Sequence, residues 1–436
     1  MATGVLEETA AGISPAVDPA PAGGWRRSAG VGMLVVFAVS LFVYWISPVR
    51  MQTDSFWVTM TARSLVKEGN VDLNEYGTLI RSTHNFQIER HDGHAYYAVP
   101  LATSLAAVPV VVVASLLDSD FDKHLAVGDN QPWDGIAAAL IVAATVAVMF
   151  AIARRLSSRL WIAYATAFIY AFGTQAWGIA SRTVWMQAPS MLCVALALLF
   201  ALRVAESPRW LTGLGAILAL GYFVRPTNAV PLAVFGVWVL VRHRSGFVRF
   251  LAGAAAVSAT FVVANLALYG QLLQPYFRAN RLDVTPTVFQ ALLANLVSPS
   301  RGVLVFVPVT ILAVLGFRHL AKRGMLSSLD ITVGATVVGY WIGVSCFPDW
   351  TGGWSYGPRL LADAVPLIMW FLPSILEGLA RSRNAVLIGL ATLVVVLSVG
   401  IQARGAFVQR TATWNWEPRY LDPARVWDWS DPQFLA

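Results

Sequence analysis

Windows of about eighteen to twenty apolar residues recur from Val31 to Ile401, each long enough to cross a hydrocarbon layer as one helix. That pattern predicts an all-α polytopic membrane protein. The charge content agrees: 13% of residues are charged and 57% hydrophobic, against roughly 25% charged in soluble chains. A soluble enzyme, a nucleic-acid-binding module and a disordered protein are excluded. The net charge of +7 therefore reads as an orientation signal at span ends rather than a nucleic-acid footprint. Two cysteines, Cys193 and Cys346, lie far apart within apolar runs and imply no disulfide framework.

Residues 1–24, with Pro15, Pro19 and Pro21 among Ala and Gly, cannot bury a core and read as a flexible cytoplasmic tail. Arg26-Arg27 then precedes the run from Val31 to Ile46. A twin-Arg pair can open an export signal. This run ends in Tyr44-Trp45 and Ser47-Pro48 without a small-residue cleavage site, so it reads as an uncleaved first span. Further helices are predicted near 135–153, 160–178, 186–204, 210–224, 228–241, 249–269, 302–318, 328–346, 361–377 and 384–402. Every second connection is short and basic: Arg154-Arg155 with Arg159, Arg203 with Arg209, Arg242 and Arg244 with Arg249, Arg318 with Lys322-Arg323, and Arg381 with Arg383. Positive charge stays on the cytoplasmic side, so the intervening Trp-, Tyr-, Pro- and Gly-rich loops face out.

The segment 98–117 admits two topologies. Pro100 and Pro109 lie within it, and Asp118, Asp120, Asp122, Asp129 and Asp134 follow it with only Lys123, a poor composition for a cytoplasmic loop. Lying along the outer face, it leaves eleven spans with the N-terminus inside; spanning, it makes twelve with the N-terminus outside. Arg26-Arg27 favours eleven. The body is then 25–405, with a first outer loop over 49–134 and an extracytoplasmic tail over 406–436 that holds Trp414, Trp416, Trp427 and Trp429. No internal repeat is visible, and no acid or base stands near the middle of a proposed span, which counts against a transporter.

Ionisable residues gather in the outer loops. Asp54 follows span one by a few residues, ahead of an amphipathic stretch over 55–67 suited to the bilayer interface. It reads either as a helix N-cap or as a carboxylate poised as general base. His84, His91 and His94 with Glu89 and Asp92 match no ordered zinc spacing, and a solvated loop is the better reading. In the loop over 179–189, Arg182 is either an interfacial anchor beside Trp177 and Trp185 or part of a site, and Gln187 either a helix cap or a partner for a sugar hydroxyl. Arg225 in VRPTN and Arg301 in SPSRG sit outside at helix ends, where a guanidinium can grip phosphate or simply snorkel. The loop FPDWTGGWSYGPRLLAD combines Asp349, Trp350, Trp354 and Tyr356 with three glycines, Arg359 and Asp363. Glycines permit close backbone approach to a ligand, and a simple aromatic belt has no need of them.

Taken in order, QTDSFWVTMTARSLVKEGNVDL (52–73), YYAVPLATSLAAVP (96–109), FGTQAWGIASRTVWMQAPS (172–190), VRPTN (224–228), SPSRGVLVFVP (298–308) and GGWSYGPRLLADAVP (352–366) resemble the landmarks of the GT-C superfamily of polytopic glycosyltransferases. The likeness is greatest to the bacterial relatives of protein O-mannosyltransferases and of enzymes using polyprenyl-phosphate sugars, and it covers most of 30–405. It implies a GT-C-like catalytic body in the cytoplasmic (inner or plasma) membrane, with amphipathic surface helices in the first outer loop and an active site on the outer face. The partners implied are a lipid-linked sugar donor, membrane lipids, and a glycan, lipid or protein acceptor; no nucleic acid is expected. Asp54 would be the general base of an inverting transfer, and Arg359, with Arg225 and Arg301, would stabilise the leaving phosphate. Gln187, Arg182, Tyr356, Trp354 and Asp349 complete the expected substrate-binding set. The resemblance leaves a divalent cation, Mg²⁺ or Mn²⁺, open, yet two departures argue against a bound metal: Ser55 follows Asp54 where many members carry a second acid, and Gln187 stands where many carry an acid in the second outer loop. The competing classes are a transporter or flippase of lipid-linked sugars and a non-enzymatic envelope assembly protein.

Overall fold

The computed structural model describes residues 24–83, 87–277, 287–415 and 423–436. Most of the expected N-terminal tail, His84 and Trp416 lie outside them. The apolar windows fold into helices in the expected order. A long first helix, α1 (Gly24–Ile46), leads into a cap made of α2 (Val58–Lys67), α3 (Gly77–Ser82), a hairpin of β1 (Ile88–His91) and β2 (His94–Tyr97), α4 (Leu101–Leu117) and α5 (Phe121–Ala126). The hairpin pairs antiparallel, Ile88 opposite Tyr97 and His91 opposite His94. Its two-residue turn, Asp92-Gly93, has positive φ at both positions, the mirror-image turn that an Asp-Gly pair favours.

The body continues through α6 (Gln131–Leu156), α7 (Leu160–Phe172), a π turn at Ala176–Ala180, α8 (Gln187–Arg203), α9 (Trp210–Val224), α10 (Ala229–Arg242), α11 (Phe247–Tyr269), α12 (Val288–Val297), α13 (Val303–Phe306), α14 (Thr310–Lys322), α15 (Ser328–Ser345), a 3₁₀ turn at Arg359–Ala364, α16 (Val365–Met369), α17 (Leu372–Ser382), α18 (Ala385–Phe407) and α19 (Gln409–Thr413). Among the described residues four helices are long and apolar enough to cross a membrane alone: α1, α6, α11 and α18. The segment Arg359–Met369 joins α17 at a 50° bend as a fifth candidate, and six more apolar helices have 10–17 residues.

Several windows that read as single spans are broken. The run 302–318 is two helices, α13 and α14, parted at Val307–Val309, and 160–178 stops at Phe172 before the π turn. Pro308 lacks an N–H and disfavours a helical residue before it. The windows report apolar length and not helical continuity.

Crossings are close where glycine permits them. A Cβ on Gly215 of α9 would lie 2.0 Å from the Phe250 carbonyl oxygen of α11, and one on Gly253 would lie 2.0 Å from that of Thr212. The two backbones touch through reciprocal glycines, as small-residue crossings in membranes do. Charges sort to the ends. The basic connections meet at one end, where Arg155 pairs with Glu206 and Ser157 Oγ donates to Glu377 at 2.7 Å. The cap and the loops around 181–186 and 347–359 gather at the other. There α4 packs chiefly on the amphipathic α2 and more lightly on α6.

Candidate active site

Residues 53–56 leave α1 without regular structure, yet each is held from a different element. Gln87 Nε2 donates to the Thr53 carbonyl at 3.0 Å. The Tyr97 hydroxyl, at the end of β2, donates to the Asp54 carbonyl. Ser55 Oγ pairs with Thr183 Oγ1, and Asn130 Nδ2 donates to the Phe56 carbonyl at 2.8 Å. Burial, and then the nearby Asp54 charge, push the Tyr97 phenol well above its usual range, so it stays a donor. With the backbone fixed, the Asp54 side chain remains 36% exposed. It caps no helix: α2 begins at Val58, and its N-cap position, Trp57, has no side-chain cap bond.

Arg359 meets it. Its Nη2 lies 2.8 Å from Asp54 Oδ2, with the arginine side chain only 10% exposed, and its guanidinium carbon sits 4.5 Å from the Trp185 ring centre. A guanidinium stacked on an aromatic face is oriented as well as charged. The residue before it is tethered too, since Gln175 Nε2 donates to the Pro358 carbonyl at 2.7 Å. Arg359 Nε, Trp185 Nε1, Gln187 Oε1 and Gln175 Oε1 are buried with no hydrogen-bond partner. Unpartnered atoms on Arg359 itself and on Trp185 beneath it suit a polar ligand, because buried polar groups are ordinarily satisfied.

The other expected site residues are dispersed. Arg225 is buried against Asp363, to which Thr227 Oγ1 also donates at 3.3 Å; its charge is answered inside the protein. Arg301 donates to the carbonyls of Thr351, Ser300 and Gly353 and to the side chains of Gln433 and Asn415, fastening the C-terminal tail to the 347–358 loop. Arg182 donates to the Tyr44 and Ser47 carbonyls at 2.8 and 2.9 Å, closing the end of α1. Burial, then repulsion from Arg50, bring it down to about 9, still protonated at neutral pH. None of these three guanidiniums turns toward Asp54. Tyr356 is a buried core residue donating to the Ile401 carbonyl at 2.6 Å, while Asp349 and Trp354 are exposed. Gly352, Gly353 and Gly357 all have positive φ, so the turns of that loop account for its glycines. Gln187 stands at the first turn of α8, two residues beyond Trp185.

Residues absent from the expected set complete the site: Tyr97, Thr183 and Asp134, with Asp363 as Arg225's partner. Asp134 Oδ2 accepts from Thr183 Oγ1 and from the Val184 N–H at 3.3 Å. Local sequence offers no signal for these contacts beyond the presence of buried-compatible polar residues near span ends.

Among the described residues no three His, Cys, Asp or Glu side chains gather as metal ligands. His91 lies 3.3 Å from Asp92 and His94 3.0 Å from Asp72. Around Asp54 the donors are one carboxylate beside a guanidinium and a hydroxyl already engaged by Thr183. Magnesium-like ions need several oxygens in near-octahedral array; these residues do not fit one.

Residues 126–269 match the family described as dolichyl-phosphate-mannose-protein mannosyltransferase. No curated protein matches the chain in sequence. In structure the chain is similar to ArnT from Cupriavidus metallidurans bound to undecaprenyl phosphate, with a TM-score of 0.55 and 17% identity over 90% of this chain and 69% of that one. The apo state of the same protein gives 0.54 and 16% over 88% and 69%. At that identity the likeness is one of fold, and it covers 90% of this chain. The family match falls on α6 to α11, helices of a bundle similar in fold to that of ArnT.

Proposed function

We propose that the protein moves a sugar from a polyprenyl-phosphate donor to an acceptor hydroxyl at the outer face of the cytoplasmic membrane, inverting the anomeric carbon. The observation that carries this reading is the Asp54–Arg359 pair at 2.8 Å. It sets a partly exposed carboxylate, on a segment tied down at Thr53, Asp54, Ser55 and Phe56, beside a cation oriented by Trp185. An anionic donor phosphate competes with Asp54 for Arg359. Once it takes the guanidinium, the carboxylate is free to act as base. Asp54 then accepts the acceptor's hydroxyl proton as that oxygen attacks the anomeric carbon. The bond from that carbon to the phosphate oxygen breaks on the opposite side, and Arg359 stabilises the charge growing on the leaving phosphate.

An apolar cavity of about 520 Å³ supports a lipid-borne donor. Leu304, Phe317, Val338, Trp341, Leu361 and Phe371 line it, and Leu361 belongs to the same 3₁₀ turn that begins with Arg359. A prenyl chain resting there would hold its phosphate near the arginine. The fold neighbour supports the same reading, because its structure is bound to undecaprenyl phosphate. Native mass spectrometry of protein purified from its own membrane should reveal bound polyprenyl phosphate, and labelled polyprenyl-phosphate sugar should yield labelled acceptor. A protein that carries no prenyl lipid and transfers from no such donor would sink this reading.

A transporter of lipid-linked sugars is the weaker reading. Arg225 and Asp363, two buried charges of the bundle, pair with each other, whereas pathway residues face a cavity or one another in series. We infer eleven spans with α4 on the outer surface, supported by its packing on α2. Ser82, at the exposed end of α3, tests this. In a background lacking Cys193 and Cys346, Ser82→Cys should react with an impermeant thiol reagent on intact cells. Protection would mean twelve spans.

A further inference from the structure

An acid in the first turn of a helix ordinarily serves that helix, where it meets free backbone N–H groups and the positive end of the dipole. Asp134 occupies that position on α6, at 1% exposure, and turns elsewhere. Both recorded partners of its Oδ2, the Thr183 hydroxyl and the Val184 N–H, belong to the loop between the π turn and α8. Thr183 and Ser55, at 0% and 1% exposure, are equally enclosed.

The direction of this chain follows from its geometry. Asp134 Oδ2 accepts from both the Val184 N–H and the Thr183 hydroxyl, and a hydroxyl has one proton to give. The Thr183 proton goes to Asp134, so Ser55 must donate to Thr183. One carboxylate oxygen thereby orders two loops at once. Through Thr183 and Ser55 it holds the residue next to Asp54. Through the Val184 N–H it holds the residue next to Trp185, the ring on which Arg359 stacks. The charge is also placed near the site: Asp54, Tyr276, Asp134 and Arg359 all act electrostatically on the Tyr97 phenol. Across the first turn of α6, Arg50 faces it as the nearby cation.

We propose that Asp134 is a positioning residue for transfer, acting through Thr183 and Ser55 to set Asp54 and the Trp185-backed Arg359 at their working separation. Asp134 touches neither reacting group. The proposal rests on the function proposed above, and it deepens that reading by assigning a second acid, carried on α6, to the support of the site.

The test removes the link without removing bulk. Thr183→Val deletes both hydroxyl bonds, and Thr183→Ser keeps them. With a labelled polyprenyl-phosphate sugar, Thr183→Val should lower kcat by roughly 10²-fold with donor KM little changed, the scale of an ångström misplacement, and Thr183→Ser should restore it. Asp134→Asn keeps an acceptor oxygen for Thr183 and should fall between the two. A second readout needs no turnover: labelling of Asp54 by a water-soluble carbodiimide, quantified on its peptide. Loss of the link should raise that labelling several-fold in Thr183→Val and leave it unchanged in Thr183→Ser. Wild-type kcat in Thr183→Val overturns the proposal, as does a loss of kcat that Thr183→Ser fails to restore. If the wild-type protein transfers no sugar, the function reading fails by itself, and the labelling experiment still decides: equal labelling in all variants refutes the positioning role.

Discussion

Asp54→Asn is expected to lower turnover by roughly 10²–10⁴-fold, the range of general base catalysis, while the protein remains folded. Asparagine preserves the shape of the side chain and can still accept from Arg359, but it cannot take the acceptor's proton. The stability cost should be small, because the carboxylate is 36% exposed and ion pairs open to solvent contribute about 1 kcal/mol or less. The charge-swapped double variant Asp54→Arg with Arg359→Asp separates catalysis from architecture. If the pair merely ties the cap to the 3₁₀ turn, the swap should recover both stability and transfer. The expected result is recovery of stability without transfer. Near-wild-type turnover in Asp54→Asn would remove the aspartate from the mechanism altogether.

Arg225→Gln should be among the most destabilising single changes in the chain. It strands the buried Asp363 carboxylate, whose charge Arg225 answers and whose side chain is fully enclosed. Breaking one partner out of a buried pair costs about 3–5 kcal/mol. Asp363→Asn strands the arginine in turn. The double variant Arg225→Gln with Asp363→Asn should regain most of the lost stability, since two amides in contact leave no isolated charge. It should also bind donor with near-wild-type affinity. Asp363 lies on the same turn as Arg359, so the pair latches that turn to the α9–α10 connection and does not itself grip phosphate. Thermal unfolding in detergent and donor titration check the two halves. A stable double variant that had lost donor binding would return Arg225 to the phosphate site.

The helices were legible because span length and apolar content are properties of a local window. Predicted segments such as 210–224 and 328–346 coincide with α9 and α15 to within a residue. The breaks inside 160–178, 302–318 and 361–377 were less so. A window average does not register a single proline, and bends are settled by what packs against them. The hairpin at 88–97 has a local signal in Asp92-Gly93 flanked by short polar and aromatic runs, although its histidines read as a solvated loop. Of the arginines expected at the site, Arg359 meets Asp54, while Arg225, Arg301 and Arg182 are committed to other partners. Nothing local distinguishes them, since each stands at a helix end in polar and aromatic company.

What the amino-acid order determined by itself is the kind of solvent this protein lives in, where its apolar segments lie, and which of their connections carry positive charge. Those are sums over neighbouring residues, and membrane partitioning responds to sums. Tertiary structure alone decided which charges meet. Arg225 and Asp363 stand 138 residues apart and Ser55 and Thr183 128 apart. A hydrogen bond or ion pair depends on distances of a few ångströms and on the direction of a donor, and only the packing of helices against one another sets those.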